Sequence, residues 1–289
     1  MQETGATAPL QTKLGCAYRC VYCTYRKIEG SGHRLADPAE VADAVTRLAA
    51  KGHRDIELVD SVFNDPYDHA RSLCGALAGV KHGARLQSLE LNPRNFDDAL
   101  VVDMERAGFA GMGLTVESAS DRVLASLRKG FTAREVHHAA DVVRRHRMPC
   151  AWIFLLGGPG ETRDTVQETL RFAEDRNRAQ DVVFFNIGAR IYPGTELESI
   201  ARSQGVLSAA PEQMLLPVFY VSPDVDARWM LDEVRRSMAG HMNFINTDSI
   251  GLSLLPRVHR TARLLGVRPP LWKHTRFIRR GLRMLGMDV

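Results

Sequence analysis

Short apolar runs alternate with amphipathic segments along the first two thirds of the chain. The apolar runs are predicted strands, and they cover Pro9–Leu14, Asp55–Val62, Arg85–Leu91, Gly111–Val116, Pro149–Leu156 and Asp181–Arg190. Between them, apolar residues recur at every third or fourth position, as in helices that bury one face. Strands that alternate with helices predict a parallel sheet built from right-handed strand–helix–strand units.

The segments between the strands carry local helix start and stop signals. The predicted helices are Asp37–Gly52, Asp68–Val80, Asp97–Gly108, Asp121–Arg128, Ala133–Arg147 and Thr162–Arg176. In the first of them, Asp37 is the expected N-cap, Pro38 occupies the first helical position and Gly52 ends the helix. These signals support the alternation of strands and helices independently of hydrophobicity.

The alternation fades after residue 197. A short apolar strand or lid is expected at Leu215–Val221, followed by a helix at Asp224–Met242. Two basic amphipathic helices are expected at Leu255–Leu265 and Lys273–Leu285. We therefore expect a core over residues 1–197 and a mainly helical extension over residues 198–289.

Length and composition are those of an ordinary globular protein. The chain has 289 residues, 45% of them hydrophobic and 25% charged, which suffices for one barrel-sized domain. The longest apolar run, Cys150–Leu156, is too short to span a membrane. No basic and apolar leader opens the sequence, so we expect a cytoplasmic protein without a transmembrane segment.

Charge is unevenly distributed along the chain. The tail from Arg257 onwards holds nine Lys and Arg residues and one acid, Asp288, which leaves 29 basic and 33 acidic residues before it. Such a tail suits an anionic partner, and a phosphorylated or lipid-like substrate is expected first. Nucleic acid is not favoured, because Trp272 and Phe277 are the only aromatic residues of the tail. Docking of the tail onto the acidic body is the alternative.

Three of the five cysteines cluster in the segment QTKLGCAYRCVYCTYRKIEG. Cys16, Cys20 and Cys23, the three motif cysteines, have the spacing C-x3-C-x2-C, and no fourth cysteine follows. Three thiolates on one loop can converge on an iron–sulfur cluster that keeps one iron open. A zinc site completed by His33 is the alternative. The clustering indicates a reducing compartment rather than a disulfide framework.

The cysteine segment resembles the signature of the radical S-adenosylmethionine (SAM) superfamily, C-x3-C-x-aromatic-C, with Tyr22 as the aromatic residue. The resemblance implies a partial (β/α)6 barrel of the TIM type with a [4Fe–4S] cluster on the three motif cysteines. It also implies that SAM binds the open iron and is cleaved to a 5′-deoxyadenosyl radical, which abstracts hydrogen from a substrate. In such a barrel, chemistry belongs at the carboxyl ends of the strands.

The resemblance places SAM contacts at two further strand ends. Asp60 and Ser61 stand where the superfamily often has a Gly-Gly-Glu that contacts the SAM amine. Glu117 and Ser118 match the region that binds the ribose, since a carboxylate accepts hydrogen bonds from a diol. Capping of a turn or helix is the alternative role for Ser61 and Glu117.

The last two strand ends complete the expected SAM site. Gly157, Gly158, Gly160 and Glu161 resemble the glycine-rich segment on the adenine side, where glycines admit a ligand close to the backbone. Arg190, after the sixth strand, is the candidate partner of the SAM carboxylate, with a plain surface arginine as the alternative. The resemblance leaves the residues that act on the substrate unknown.

Details such as VDSVFNDP, GFTAREV and RIYPGTEL are most similar to radical SAM enzymes that carry an N-terminal cobalamin-binding domain, often methyltransferases. No such domain precedes Cys16, so the protein is expected either to work without cobalamin or to receive it from a partner or a missing domain. Methyl transfer is the expected reaction on a small-molecule substrate, followed by oxidoreductase or mutase chemistry, with flavodoxin or ferredoxin as electron donor. A non-catalytic zinc or iron–sulfur RNA-binding module is the alternative from another class.

Overall fold

The computed structural model describes residues 7–208, 214, 216–247, 261–262, 264, 266–267 and 269–284. Its strands are β1 (Ala8–Leu10), β2 (Lys13–Leu14), β3 (Arg34–Leu35), β4 (Asp55–Leu58), β5 (Arg85–Leu91), β6 (Phe109–Glu117), β7 (Cys150–Leu156), β8 (Val182–Ile187), β9 (Ala189–Ile191), β10 (Val218–Tyr220) and β11 (Phe244–Asn246). Seven of them form one sheet in the order β1-β4-β5-β6-β7-β8-β11, and every neighbouring pair is parallel. The predicted α/β class with a parallel sheet is confirmed.

Helices alternate with these strands as the sequence indicates. They are α1 (Tyr25–Glu29), α2 (Pro38–Ala50), α3 (Tyr67–Ala78), α4 (Asp98–Arg106), α5 (Asp121–Ser126), α6 (Ala133–Arg145), α7 (Arg163–Arg176), α8 (Glu196–Ser203), α9 (Ala227–Gly240) and α10 (Thr275–Met284). At the start of α2, the Asp37 carboxylate accepts hydrogen bonds from the backbone N–H groups of Ala39 and Glu40. The predicted cap therefore satisfies two of the free amides of that helix.

The main core lies between the sheet and the helices. Phe154 of β7 and Phe185 of β8 stack with ring centroids 5.6 Å apart, and Phe244 of β11 meets Phe185 edge-on at 5.7 Å. Cys74 and Cys150 are fully buried in this core, as expected of cysteines that act as small hydrophobic residues. Aromatic contacts thus link the last three strands of the sheet.

Strand β11 was not predicted. It lies in the extension that was expected to be mainly helical, and it pairs in parallel with β8, so that Phe244 opposes Val183. The sixth predicted strand, Asp181–Arg190, instead divides at Gly188, whose φ of 80° turns β9 away to pair with β10. The predicted boundary between residues 197 and 198 falls within α8 and stays a prediction.

The described part of the basic tail packs against the body. A short 3₁₀ helix, Leu271–His274, brings Trp272 over Gly111, where a Cβ atom would lie 2.6 Å from the indole ring. The indole N–H donates to Gln87 Oε1 at 3.3 Å. Arg279 is 5% exposed and donates to the carbonyl of Phe244.

The tail thereby closes the amino-terminal side of β5 and β6. The predicted basic helix Leu255–Leu265 lies largely outside the described residues. Among the described helices, none combines the length and the apolar character that crossing a membrane requires.

Candidate functional site

The cysteine loop begins at a position that only glycine can occupy. Gly15 has φ of 94°, and a Cβ atom there would lie 2.0 Å from the carbonyl oxygen of Gly32. The Ser61 hydroxyl donates to the Gly15 carbonyl at 3.0 Å, and Cys16 N donates to Gly30 O at 3.1 Å. These contacts fix the direction in which the first cysteine leaves the sheet.

Asp60 holds the chain that leads into this loop. Its carboxylate is 1% exposed and accepts hydrogen bonds from Thr12 N at 2.7 Å, Thr12 Oγ1 at 2.6 Å and Lys13 N at 3.1 Å. The Lys13 ammonium lies 3.8 Å away. Asp60 and Ser61 thus both orient the cysteine loop, and a contact of either with SAM stays a prediction.

The three motif cysteines line one cavity of about 340 Å³. None of them forms a disulfide, and Cys16 is buried whereas Cys20 and Cys23 are partly exposed. Burial raises the pKa of the Cys20 thiol to about 11 and also raises the pKa of Cys23. A bound cation would offset this burial, because metal binding favours the thiolate and releases the proton.

The donor set fits a cluster better than a single zinc ion. His33, the alternative fourth ligand, places Nε2 3.4 Å from Asp65 Oδ2. Within the part of the chain that the structure describes, no three His, Cys, Asp or Glu side chains are grouped to hold one metal ion. Zinc draws its ligands to about 2.3 Å from one point, whereas a cubane offers separate irons to its thiolates. A cluster on the three motif cysteines needs no fourth side chain, whereas a zinc site would need His33 to leave Asp65.

Tyr22, Glu117 and Lys129 form a buried network beside the cysteines. The Tyr22 hydroxyl donates to Glu117 Oε1 at 2.6 Å. The Lys129 ammonium donates to the Tyr22 hydroxyl oxygen and to Glu117 Oε1, each at 3.1 Å. Burial and the Glu117 charge raise the pKa of Tyr22 well above its ordinary value. Burial opposes the charge of Lys129, but Tyr22 and Glu117 favour it, and the pKa of Lys129 is raised. Glu117 and Lys129 thus form a buried ion pair.

Glu117 adopts an unusual backbone conformation. Its φ is 61°, in the left-handed region that favours glycine, where the pairing of β6 with β7 shifts register. Such a conformation costs about 1–3 kcal/mol and is concentrated at functional sites. The strain aims the carboxylate at Tyr22 instead of leaving it in the ordinary alternation of the strand.

Residues 127–130, directly after α5, also contact the cysteine loop. Val21 N donates to the carbonyl of Leu127 at 3.1 Å. The Tyr18 ring packs on Gly130, where a Cβ atom would lie 3.0 Å from the ring. Lys129, between Leu127 and Gly130 in the sequence, contacts Tyr22. This short segment therefore positions Tyr18, Val21 and Tyr22 of the cysteine loop.

The glycine-rich turn stabilises itself and touches this same segment. Gly157 and Gly160 have φ of 85° and 81°, and a Cβ atom at Gly158 would lie 3.1 Å from Leu127. Glu161 is fully buried and accepts hydrogen bonds from Gly157 N at 3.1 Å and Thr165 Oγ1 at 2.5 Å. Burial raises the pKa of Glu161 to about 7. Glu161 therefore shapes the turn, and its role on the adenine side stays a prediction.

Ser118 and Arg190 lie apart from the cysteine cavity. The Ser118 hydroxyl is fully buried, 3.1 Å from Thr169 Oγ1, and accepts a hydrogen bond from Ser120 N at 3.1 Å. Arg190 is exposed, with its guanidinium 4.7 Å from the centre of the Tyr192 ring. Their predicted contacts with SAM remain predictions.

The model of the radical SAM superfamily matches residues 11–173, which include the three motif cysteines, Tyr22 and Glu117. The chain belongs to the radical SAM superfamily. Its cofactors are accordingly a [4Fe–4S] cluster and SAM.

Two of the proteins that the chain resembles are named methyltransferases. An uncharacterized methyltransferase of Pyrococcus horikoshii is 26% identical over 200 residues, which cover 68% of this chain and 42% of that protein. The radical SAM methyltransferase TsrM from Kitasatospora setae, with cobalamin and a [4Fe–4S] cluster bound, superposes with a TM-score of 0.79 at 22% identity. That superposition covers 97% of this chain and 61% of TsrM.

The cobalamin-dependent SAM radical enzyme OxsB superposes with a TM-score of 0.58 at 13% identity, over 97% of this chain and 50% of OxsB. Likeness at such identities shows the fold, and it confirms the predicted partial barrel. The chain spans about half the length of these relatives.

Glu90 is a candidate site residue of this radical SAM enzyme that the sequence analysis missed. It lies near the carboxyl end of β5, where its side chain reaches solvent but has protein on most sides. Burial, followed by the charge of Glu117, raises the pKa of Glu90 to about 7. Its position at a strand end was the available signal, but a lone glutamate in an alternating strand also fits a solvated face.

Lys129 was missed for a different reason. It follows a short helix in the sequence LRKGFT, next to the exposed Arg128, and nothing local distinguishes the two cations. Only the folded chain shows that Lys129 is 5% exposed.

Proposed function

We propose that this chain catalyses [4Fe–4S]-dependent reductive cleavage of SAM and that its overall reaction is methyl transfer to a small molecule. The observation that carries the proposal is the convergence of three unlinked cysteines on one cavity beside a strained, buried glutamate. When bound, the cluster supplies the electron that cleaves SAM to methionine and a 5′-deoxyadenosyl radical, which takes hydrogen from the substrate. The three motif cysteines would hold the cluster.

Glu117 is the residue that we assign to the SAM ribose. Tyr22 and Lys129 both bind its Oε1, and no described residue donates a hydrogen bond to its Oε2. Lys129 pairs with Oε1 at 3.1 Å, and Oε2 of the same carboxylate can accept from a ribose hydroxyl. The assignments of Gly157, Gly158, Gly160 and Glu161 to the adenine side and of Arg190 to the SAM carboxylate belong to the same proposal.

Methyl transfer is supported by the names of the P. horikoshii relative and of TsrM. Cobalamin would come from a partner or from a further domain. Oxidoreductase or mutase chemistry is the second candidate within the superfamily. The two are distinguished by the products of SAM. Methyl transfer yields S-adenosylhomocysteine in addition to 5′-deoxyadenosine, whereas the other reactions yield no S-adenosylhomocysteine.

The test is anaerobic reconstitution with iron and sulfide, with and without hydroxocobalamin, followed by assay of both nucleoside products. We expect a brown protein with about four irons that releases 5′-deoxyadenosine under reducing conditions. Cys20→Ala should abolish this release, and Cys74→Ala should leave it unchanged because Cys74 is buried away from the cavity. Stoichiometric zinc and no 5′-deoxyadenosine would instead favour the non-catalytic module.

Location and partners are part of the proposal. Five free cysteines, three of them at an oxygen-sensitive cluster, suit the reducing cytoplasm. The electron donor would be a flavodoxin or ferredoxin. The exposed Arg276 and Arg280 of α10 support a phosphorylated or lipid-like substrate, whereas the burial of Arg279 supports docking of the tail onto the body. RNA remains the less favoured partner.

A further inference from the structure

Four basic side chains surround the opening of the cysteine cavity. Arg19 belongs to the cysteine loop, Arg26 and Lys27 to α1, and Arg128 to the segment after α5. All four line the same cavity of about 340 Å³ as the three motif cysteines. We call these four side chains the basic rim.

The basic rim has an excess of positive charge. Among the residues that line the cavity, the acidic one is Glu196, and it is paired with Arg128 at 2.8 Å. Three rim cations are therefore left without an acid in the lining. This excess is local, because residues 1–256 hold 29 basic and 33 acidic residues.

The remaining rim cations contact neutral groups. Arg26 donates to the carbonyl of Ala17 at 3.1 Å, and Lys27 donates to the carbonyl of Gly194. Arg19 is exposed, and it forms no hydrogen bond or ion pair with the residues that the structure describes. Contacts with carbonyl groups orient a cation without neutralising it, so the lining of the cavity has a net positive charge, and the Glu198 carboxylate outside the lining also interacts with Lys27.

Helix α1 adds apolar surface next to the rim. None of its five residues is buried, although it carries Tyr25, 47% exposed, and Ile28, 76% exposed. Tyr192, which is 37% exposed, extends the apolar surface beyond β9. Exposed apolar side chains bordered by charges are typical of a protein interaction site.

We propose that the basic rim and the exposed side of α1 dock an acidic one-electron carrier protein of the flavodoxin or ferredoxin type. The inference rests on the proposed function, since only a redox-active cluster needs such a donor. Cys20 and Cys23 are the partly exposed motif cysteines, and they line the same cavity as the rim. Opposite charges steer small, transient redox complexes together.

The docked carrier passes one electron to the cluster. The carrier is oxidised by one electron and the cluster is reduced by one. No covalent bond forms or breaks in this step, and no proton needs to move. The rim side chains contribute binding and orientation only.

The experiment is anaerobic stopped-flow reduction of the reconstituted protein by reduced flavodoxin over a series of salt concentrations. The test variant is Arg19→Glu/Lys27→Glu, which reverses two rim charges. The matched control is Arg144→Glu/Arg171→Glu, which reverses two exposed charges on α6 and α7. Dithionite, a small reductant that needs no docking surface, is the second control.

We expect flavodoxin to reduce the rim variant about tenfold more slowly at low salt, with a weaker salt dependence, because rim charges act on the association rate. Dithionite should reduce all three proteins at the same rate. The docking proposal is wrong if flavodoxin reduces the rim variant at the wild-type rate. It is also wrong if flavodoxin reduces the control variant as slowly as the rim variant. Equal slowing with dithionite would also overturn it, because the substitutions would then act on the cluster itself.

The neutral pair Arg19→Gln/Lys27→Gln covers the case in which charge reversal lowers the iron content. About threefold slower reduction by flavodoxin is expected for this pair, and an unchanged rate overturns the proposal. A wild-type protein that binds no reducible cluster would overturn the proposed function together with the docking. If the cluster is reducible but flavodoxin reduces it at the same rate in wild type and in the rim variant, only the docking proposal is overturned.

Discussion

At the scale of single residues, Glu117 joins the cysteine loop to the strand behind it. Its Oε1 accepts hydrogen bonds from Tyr22 and Lys129, so Oε2 is left to bind a ligand. The positive φ of Glu117 is stable because the buried ion pair and the shifted register over-determine it. One carboxylate thus serves both the loop and the expected cofactor.

We predict that Glu117→Gln weakens SAM binding by about ten- to a hundredfold, since a charge-assisted hydrogen bond contributes about 1.5–3 kcal/mol. Isothermal titration calorimetry on cluster-loaded protein measures the change. Glu135→Gln is the control, because Glu135 is a partly exposed residue that caps α6 and does not line the cysteine cavity. Unchanged affinity with an intact cluster would show that the ribose binds elsewhere.

At the scale of elements, the loops that join strands and helices contain glycines with left-handed backbone. Gly15 and Gly52 have the same φ of 94°, but only Gly15 has a backbone neighbour in the place of a Cβ atom. The pair therefore separates the cost of φ from the cost of contact.

We predict that Gly15→Ala destabilises the protein by about 1–3 kcal/mol more than Gly52→Ala, because the Gly32 carbonyl must move. Both variants share the cost of about 1 kcal/mol for a left-handed alanine. Chemical denaturation measures the difference, and Gly15→Ala should also bind less iron. Equal stabilities of Gly15→Ala and Gly52→Ala would mean that the Gly30–Gly32 turn can move away from the added Cβ atom without cost.

The glycine-rich turn contributes a pH dependence through Glu161. The folded state holds the Glu161 proton up to about pH 7, whereas an unfolded glutamate loses it near its ordinary pKa of 4.5. Between these values the folded state binds more protons, so stability falls as pH rises from about 4.5 to 7. The underlying cause is burial, which disfavours the charged carboxylate.

We predict that Glu161→Gln removes this part of the pH dependence, by about 3 kcal/mol at most, at 1.36 kcal/mol per pKa unit. Unfolding of the apo protein between pH 5 and pH 8 measures it. Glu90 has a similar raised pKa, but it is present in both proteins and cancels in the difference. Parallel curves for wild type and variant would assign the proton to another group.

At the scale of the whole molecule, the described part of the tail belongs to the fold. Trp272 covers Gly111 of β6 and bonds Gln87 of β5, while Arg279 bonds the carbonyl of Phe244 in β11. The described tail therefore contacts both the middle of the sheet and its last strand. This arrangement favours a structural role for Arg279.

We predict that Trp272→Ala lowers the free energy of unfolding by about 3 kcal/mol, through a cavity over Gly111 and a lost partner for Gln87. Phe277→Ala on the same segment should change it by less than about 0.5 kcal/mol, because Phe277 is 73% exposed. Thermal unfolding of both variants tests this. Equal effects would mean that the tail does not hold the sheet through Trp272.

The sequence by itself determined the order of strands and helices, the cysteine motif and the glycines of the turns. These features are local, since periodicity, capping and left-handed backbone are written in neighbouring residues. Strand β11 escaped this reading because three residues carry no periodicity. Its place follows from pairing with β8, which is a long-range contact.

Only the tertiary structure decided which charges are buried and what they meet. Lys129 and Arg128 are adjacent in sequence, yet one enters a network with Tyr22, 107 positions away, and the other faces solvent at the rim. Asp60 accepts hydrogen bonds from Thr12 and Lys13, and the pKa of Glu90 is raised by burial first and by the charge of Glu117 second. Desolvation and long-range pairing set these properties, and both arise when distant segments pack together.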